Sequence, residues 1–167
     1  AEFFIGEFHR VRGEYEAAEA PIRSYEAIAR QLYEADPADA DRLLELSYST
    51  GNILSLQLTA GQRVDAAILE RADESVRLAR ASLEAGGENP ELLNHLSMTL
   101  AWAADAQLYA CRLDQALDLR DQNLAYAEAT LERSPTSQLY QWDLALAHSG
   151  VATVNHAAGN LQKARQH

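Results

Sequence analysis

Apolar residues recur along this chain at three- and four-residue intervals, and short polar or glycine-containing clusters break the pattern at regular points. In one stretch Tyr15, Ala18, Ile22, Tyr25, Ile28, Ala29, Leu32 and Tyr33 fall at helical spacing. The pattern predicts helices over about 2–11, 14–35, 38–60, 64–85, 90–110, 113–133 and 136–158, with a further stub from Leu161. Gly13 ends the first of these, and Pro21 predicts a kink or a late start in the second. Asp36-Pro37, Asn89-Pro90 and Ser134-Pro135 each offer a capping side chain followed by proline at the first helical position. Gly86-Gly87 is a stop signal. The reading is all-α.

A unit repeats within this pattern. The copies are Gly13-Glu14-Tyr15-Glu16-Ala17-Ala18, Gln62-Arg63-Val64-Asp65-Ala66-Ala67, Cys111-Arg112-Leu113-Asp114-Gln115-Ala116 and Gly159-Asn160-Leu161-Gln162-Lys163-Ala164. Their closing alanines stand 49, 49 and 48 residues apart. A fixed period of this size predicts an α-solenoid of antiparallel helix hairpins, each burying one stripe internally and offering another to the next hairpin. Helices of about 20 residues would span roughly 30 Å. The phase divides the chain into a partial repeat over 1–36, repeats over about 37–88 and 89–134, and a partial repeat over 135–167, all in one domain. Both ends fall inside a unit, so the chain reads as part of a longer repeat protein.

The repeat core resembles the tetratricopeptide repeat, in which a Leu-Gly pair precedes a Gly-x-Tyr turn and an alanine follows the tyrosine by three. Ile5-Gly6 with Tyr15 and Ala18 carries the likeness in the first copy, and Val151-Ala152 with Gly159, Leu161 and Ala164 in the last. Leu54-Ser55 with Val64 and Ala67, and Ala103-Ala104 with Leu113 and Ala116, fit in between. Trp142-Asp143-Leu144-Ala145-Leu146-Ala147-His148 is similar to a segment of extended, roughly 50-residue repeats from multidomain bacterial proteins. The resemblance implies a right-handed superhelix with unusually long helices. It also implies a ligand on the concave face, contacted by the first helix of each repeat. Carried onto this sequence, that face comprises Asn52, Leu56 and Thr59, then Met98, Ala101, Asp105, Leu108 and Tyr109, then Ser149, Thr153 and His156.

Charge narrows the partner. With 14 basic and 25 acidic side chains the net charge is −11, which disfavours nucleic acid and suits a protein or peptide, a basic one in particular. A clamp for a terminal carboxylate needs converging cations. Here Asn52 is followed at the equivalent positions by Ala101 and Ser149, and Lys163 is the one lysine. No run approaches the length of a membrane span and no secretory signal opens the chain, so the expected setting is cytoplasmic. The arginine bias suggests a bacterial source.

Catalytic and metal chemistry find no support in the pattern. Cys111 is the one cysteine and sits at a predicted turn. His148 and His156 lie eight residues apart, roughly 12 Å along a helix, too far to share one metal ion. Neither a phosphate-cradling loop nor a nucleophile elbow occurs. The aromatic residues Trp102, Trp142, Tyr25, Tyr33 and Tyr126 read as seam fillers between long helices. The expected function is therefore a non-catalytic interaction module or scaffold with no cofactor and no metal. The alternative is a regulatory or sensory segment controlling a linked effector domain. Phe3, Phe4 and Phe8 at one end, with Val151 and Val154 at the other, are expected to be bare and to promote end-to-end association.

Overall fold

The computed structural model describes residues 1–167, and every regular element in it is helical. Eight helices follow one another: α1 (Glu2–Val11), α2 (Tyr15–Ala35), α3 (Ala40–Thr59), α4 (Ala66–Gly86), α5 (Pro90–Tyr109), α6 (Leu113–Arg133), α7 (Gln138–Ala157) and the short α8 (Leu161–Ala164). They form two compact units, residues 1–85 and 86–167. Within each unit consecutive helices pack against their neighbours in the manner of an α-solenoid.

One turn recurs four times and explains the period. Gly13, Gly61, Cys111 and Gly159 all take left-handed backbone conformations, with φ of 74°, 69°, 58° and 78°. At each, the residue's N–H reaches back to the carbonyl three before it, and the next N–H to the carbonyl five before it. Gly13 donates to Arg10 and Glu14 to His9; Cys111 donates to Leu108 and Arg112 to Gln107. These two hydrogen bonds satisfy C-terminal carbonyls of α1, α3, α5 and α7.

Glycine accepts that geometry without strain, whereas a side chain brings its Cβ against the carbonyl. Cys111 is the position where the repeat departs from its own rule, and its thiol is exposed. Cys111→Gly should therefore raise stability by about 0.5–1 kcal/mol, the left-handed penalty less the added entropy of glycine. Denaturant unfolding of the two forms measures it; a loss of stability would contradict the strain argument.

The second copy runs out of step with the sequence reading. Its left-handed residue is Gly61, not Gln62, and Asp65 caps α4 by accepting from the N–H of Ile68. Ala67 is exposed, and the buried column instead runs through Ala18, Ile68 and Ala116. Likewise Leu54, not Ser55, stands seven residues before the turn, where Gly6, Ala104 and Ala152 stand in the other copies. A connection of six residues, where each of the other copies has three, absorbs the difference.

The prolines also divide. Asn89 caps α5 from in front of Pro90, accepting from the N–H of Leu92. The other two prolines lie in turns ahead of the helix. Pro37 and Pro135 each follow the residue whose carbonyl accepts the closing bond of a four-residue turn, donated by Asp39 N–H to Asp36 and by Ser137 N–H to Ser134. Asp39 and Ser137 are then the caps of α3 and α7. The start of α2 is not delayed by Pro21, which lies inside the helix. The carbonyl it leaves unbonded belongs to Ala17, an exposed residue that water can reach.

In the first unit α1 and α2 meet through Gly6, whose added Cβ would fall deep inside the van der Waals contact of Ile22 Cγ1. Ile22 is fully buried with Ala18, Ile53 and Leu56, so it has no room to yield. Gly6→Ala is expected to cost about 1–3 kcal/mol by overpacking, and Ile22→Val should recover part of it. Equilibrium unfolding of the two single variants and the double variant is the measurement. Further along, Ala29, Leu46 and Leu78 join α2, α3 and α4. Glu26, 8% exposed, takes the Arg71 Nη1 at 2.6 Å, while Arg30 bridges to Glu74 at 3.0 Å. These pairs connect residues 44 and 45 apart, which sets α2 and α4 parallel.

Candidate interaction surface

In the second unit, α5 and α6 are held by a buried polar clasp. The Asn123 amide donates to the Ser97 carbonyl and hydroxyl, and the Ser97 hydroxyl donates to the Asn123 carbonyl at 3.0 Å. A turn away Arg120, 8% exposed, pairs through Nη2 with Asp105. Burial pushes the Asp105 carboxyl above its usual range, and the Arg120 charge pulls against that shift. Arg120 occupies the buried column that holds Ile22 in α2 and Ala72 in α4, so it needs space that an aliphatic residue would not. Gly150 of α7 supplies it: a Cβ there would meet Arg120 Nη1 at 2.5 Å and Cζ at 2.6 Å.

This network fixes α7 against α6, and Asn94 of α5 hydrogen-bonds the Asp143 carboxyl of α7. Burial raises the Asp143 pKa while that bond opposes the rise. With α7 so held, one stripe of it is left bare. Leu139, Trp142 and Leu146 are 60%, 63% and 46% exposed. The same line continues through Ser149, Thr153 and His156, all exposed, with the Thr153 hydroxyl donating to the Ser149 carbonyl. The surface is therefore apolar along the opening half of α7 and polar along its closing half.

The residues expected to bind separate into three groups. Ser149, Thr153 and His156 lie on this stripe, and Tyr109 is exposed at the end of α5. Asn52, Met98, Ala101 and Leu108 are half-buried, Thr59 is exposed at the end of α3, and Asp105 is engaged by Arg120. Leu56 is a core residue, 2% exposed and packed with Ile22 and Ile53. The expectation for Trp142 is reversed in the opposite sense: it fills no seam but projects into solvent. Val151 and Val154 are also corrected, being 1% and 0% exposed, whereas Phe4 and Phe8 are bare at 74% and 59%. No helix is long and apolar enough to cross a membrane. Neither the known protein-family models nor the curated proteins contain a match to the chain.

Proposed function

We propose that the chain is a non-catalytic interaction module of the tetratricopeptide type, binding a peptide or partner domain on the face carried by the first helices of its repeats. The observation that supports this is the α7 stripe, where a tryptophan 63% exposed stands between two exposed leucines. Soluble proteins seldom leave such apolar surface bare unless something covers it, and tryptophan is among the residues that most often anchor an interface. The polar residues Ser149, Thr153 and His156 would then fix the register of the bound segment.

A photo-crosslinking residue in place of the exposed Ala145, beside the stripe, should trap a defined protein in cells that make the chain. Trp142→Asp combined with Leu146→Asp should reduce the trapped product at least tenfold. Both side chains are exposed, so circular dichroism and Tm should hardly change. Trapping that survives the double substitution would overturn the proposal.

A further inference from the structure

The first unit holds an open cavity of about 650 Å³, within the size range of ligand sites. One wall is the turn into α2 and the opening of that helix, from Gly13 to Ala17 with Glu19. The other is the end of α3 and the connection after it, with Leu56, Ala60 and Gln62. Both walls are built around connections with chain on either side, 12–14 and 60–65, so neither end of the sequence shapes the cavity. The α7 stripe belongs to the second unit and takes no part in it.

Its lining joins an apolar patch to a set of acceptors. Leu56 is packed in the core with Ile22, and Tyr15 rests on the same cluster, so this patch is rigid. The rest of the lining carries three carboxylates, Glu14, Glu16 and Glu19, and no cationic side chain. From outside the lining, His9 Nδ1 and Arg12 Nε hold Glu14, each at 2.7 Å, and Arg23 Nη2 holds Glu19 at 2.7 Å. Glu16 is exposed and makes no ion pair. Ala17, another lining residue, has a carbonyl that Pro21 leaves without a helical donor. The helix dipole favours acidic residues in a first turn, which accounts for Glu16 but not for Glu19. Nor does the repeat require the pattern: the second unit has Arg112 in the place of Glu14 and Leu117 in the place of Glu19.

We propose that this cavity receives an arginine side chain of a bound peptide. Charge complementarity selects a cation, and the apolar patch selects one carried on a hydrocarbon stem. Arginine meets both demands and adds two more. Its planar fork offers five N–H donors, which suits several acceptors set side by side, where the ammonium of lysine is a point charge. Its guanidinium also stacks on aromatic rings, and Tyr15 provides one. Glu14 and Glu19 are already oriented by their own cations, so Glu16 is the carboxylate left to meet the incoming charge. The breadth and openness of the cavity leave room for the peptide backbone to cross its mouth beside Gln62.

Three end-capped tripeptides test the assignment by titration into the labelled chain: Gly-Arg-Gly, the lysine analogue, and the citrulline analogue, which keeps the shape of arginine without its charge. The arginine peptide should shift the amides of residues 13–19, Ala60 and Gln62 saturably. The citrulline peptide should bind at least tenfold more weakly and the lysine peptide several-fold more weakly. Glu16→Gln with Glu19→Gln should lower the affinity for the arginine peptide at least tenfold, while circular dichroism stays unchanged because neither side chain is buried. Equal affinity for the citrulline or lysine peptide would overturn the proposal. So would binding that survives the double substitution, or shifts that fall outside the cavity. The chain with Trp142→Asp and Leu146→Asp should bind the arginine peptide as the parent does, so this site and the α7 stripe stand or fall separately.

Discussion

Arg120→Ala is expected to destabilise the second unit by about 3–5 kcal/mol, the range for removing one member of a buried ion pair. The substitution leaves the Asp105 carboxyl, already pushed upward by burial, without its cation, and it opens a void beside Gly150. Asp105 retains a quarter of its side-chain exposure, which should hold the loss near the lower end. Gly150→Ala attacks the same pair from the other side. Its Cβ cannot be accommodated unless the guanidinium moves, and the guanidinium is held by Asp105 and by Asn123 Oδ1. The two substitutions should therefore couple: once Arg120 is alanine, Gly150→Ala should cost little or nothing. Denaturant unfolding of the two single variants and the double variant measures this, and additive losses would show that Gly150 does not serve Arg120.

The second large effect is a loss of stability in acid. Burial pushes the His95 imidazole down to about 4 from an ordinary value of 6.5. Its unfolded form thus takes up a proton at a higher pH than its folded form does. The stability that comes from keeping the ring neutral is complete above pH 6.5 and is lost as pH falls towards 4. At 1.36 kcal/mol per pH unit the total is on the order of 3 kcal/mol. Asp105 works in the opposite sense: its pKa is raised in the fold, so its contribution improves as pH falls through that raised value towards 3.8. His95→Gln isolates the imidazole. Stability measured from pH 7.5 to pH 4.5 should fall steeply in the parent chain and far less in the variant. Parallel curves would assign the acid sensitivity elsewhere.

The period and the hairpins were legible in the sequence because each repeat closes on a conformational requirement. Three glycines mark the left-handed turns directly, and helical periodicity locates the elements between them within about two residues. The second repeat slips because Gly61-Gln62 offers two candidates for one turn, and a three-residue change of loop length leaves no trace in the apolar pattern. The prolines mislead for a related reason. Pro37 and Pro135 are compatible with either a helix start or a turn, and the choice depends on whether Asp39 or Ser137 can cap the helix further on.

The candidate interaction surface was less legible than the fold. Periodicity shows that a helix has an apolar stripe; which neighbour covers the stripe is a matter of packing. Leu56 and Trp142 both sit at helical spacing on first helices, yet one lies in the core and the other in solvent. Arg120 gave one usable sign, a charge in a column otherwise filled by Ile22 and Ala72. Its two accommodating residues, Asp105 and Gly150, lie 15 and 30 positions away with nothing in the sequence to connect them.

The exception among the four turns has a practical consequence. Cys111 is the chain's single thiol, it is exposed, and its own N–H and the next one anchor its backbone to the end of α5. A maleimide dye would attach at that one point and report the tumbling of the α5–α6 hairpin with little motion of its own linkage to the backbone. Strain at this turn thus leaves an optical handle beside the exposed Tyr109 ring, where a bound segment could be followed through changes in anisotropy.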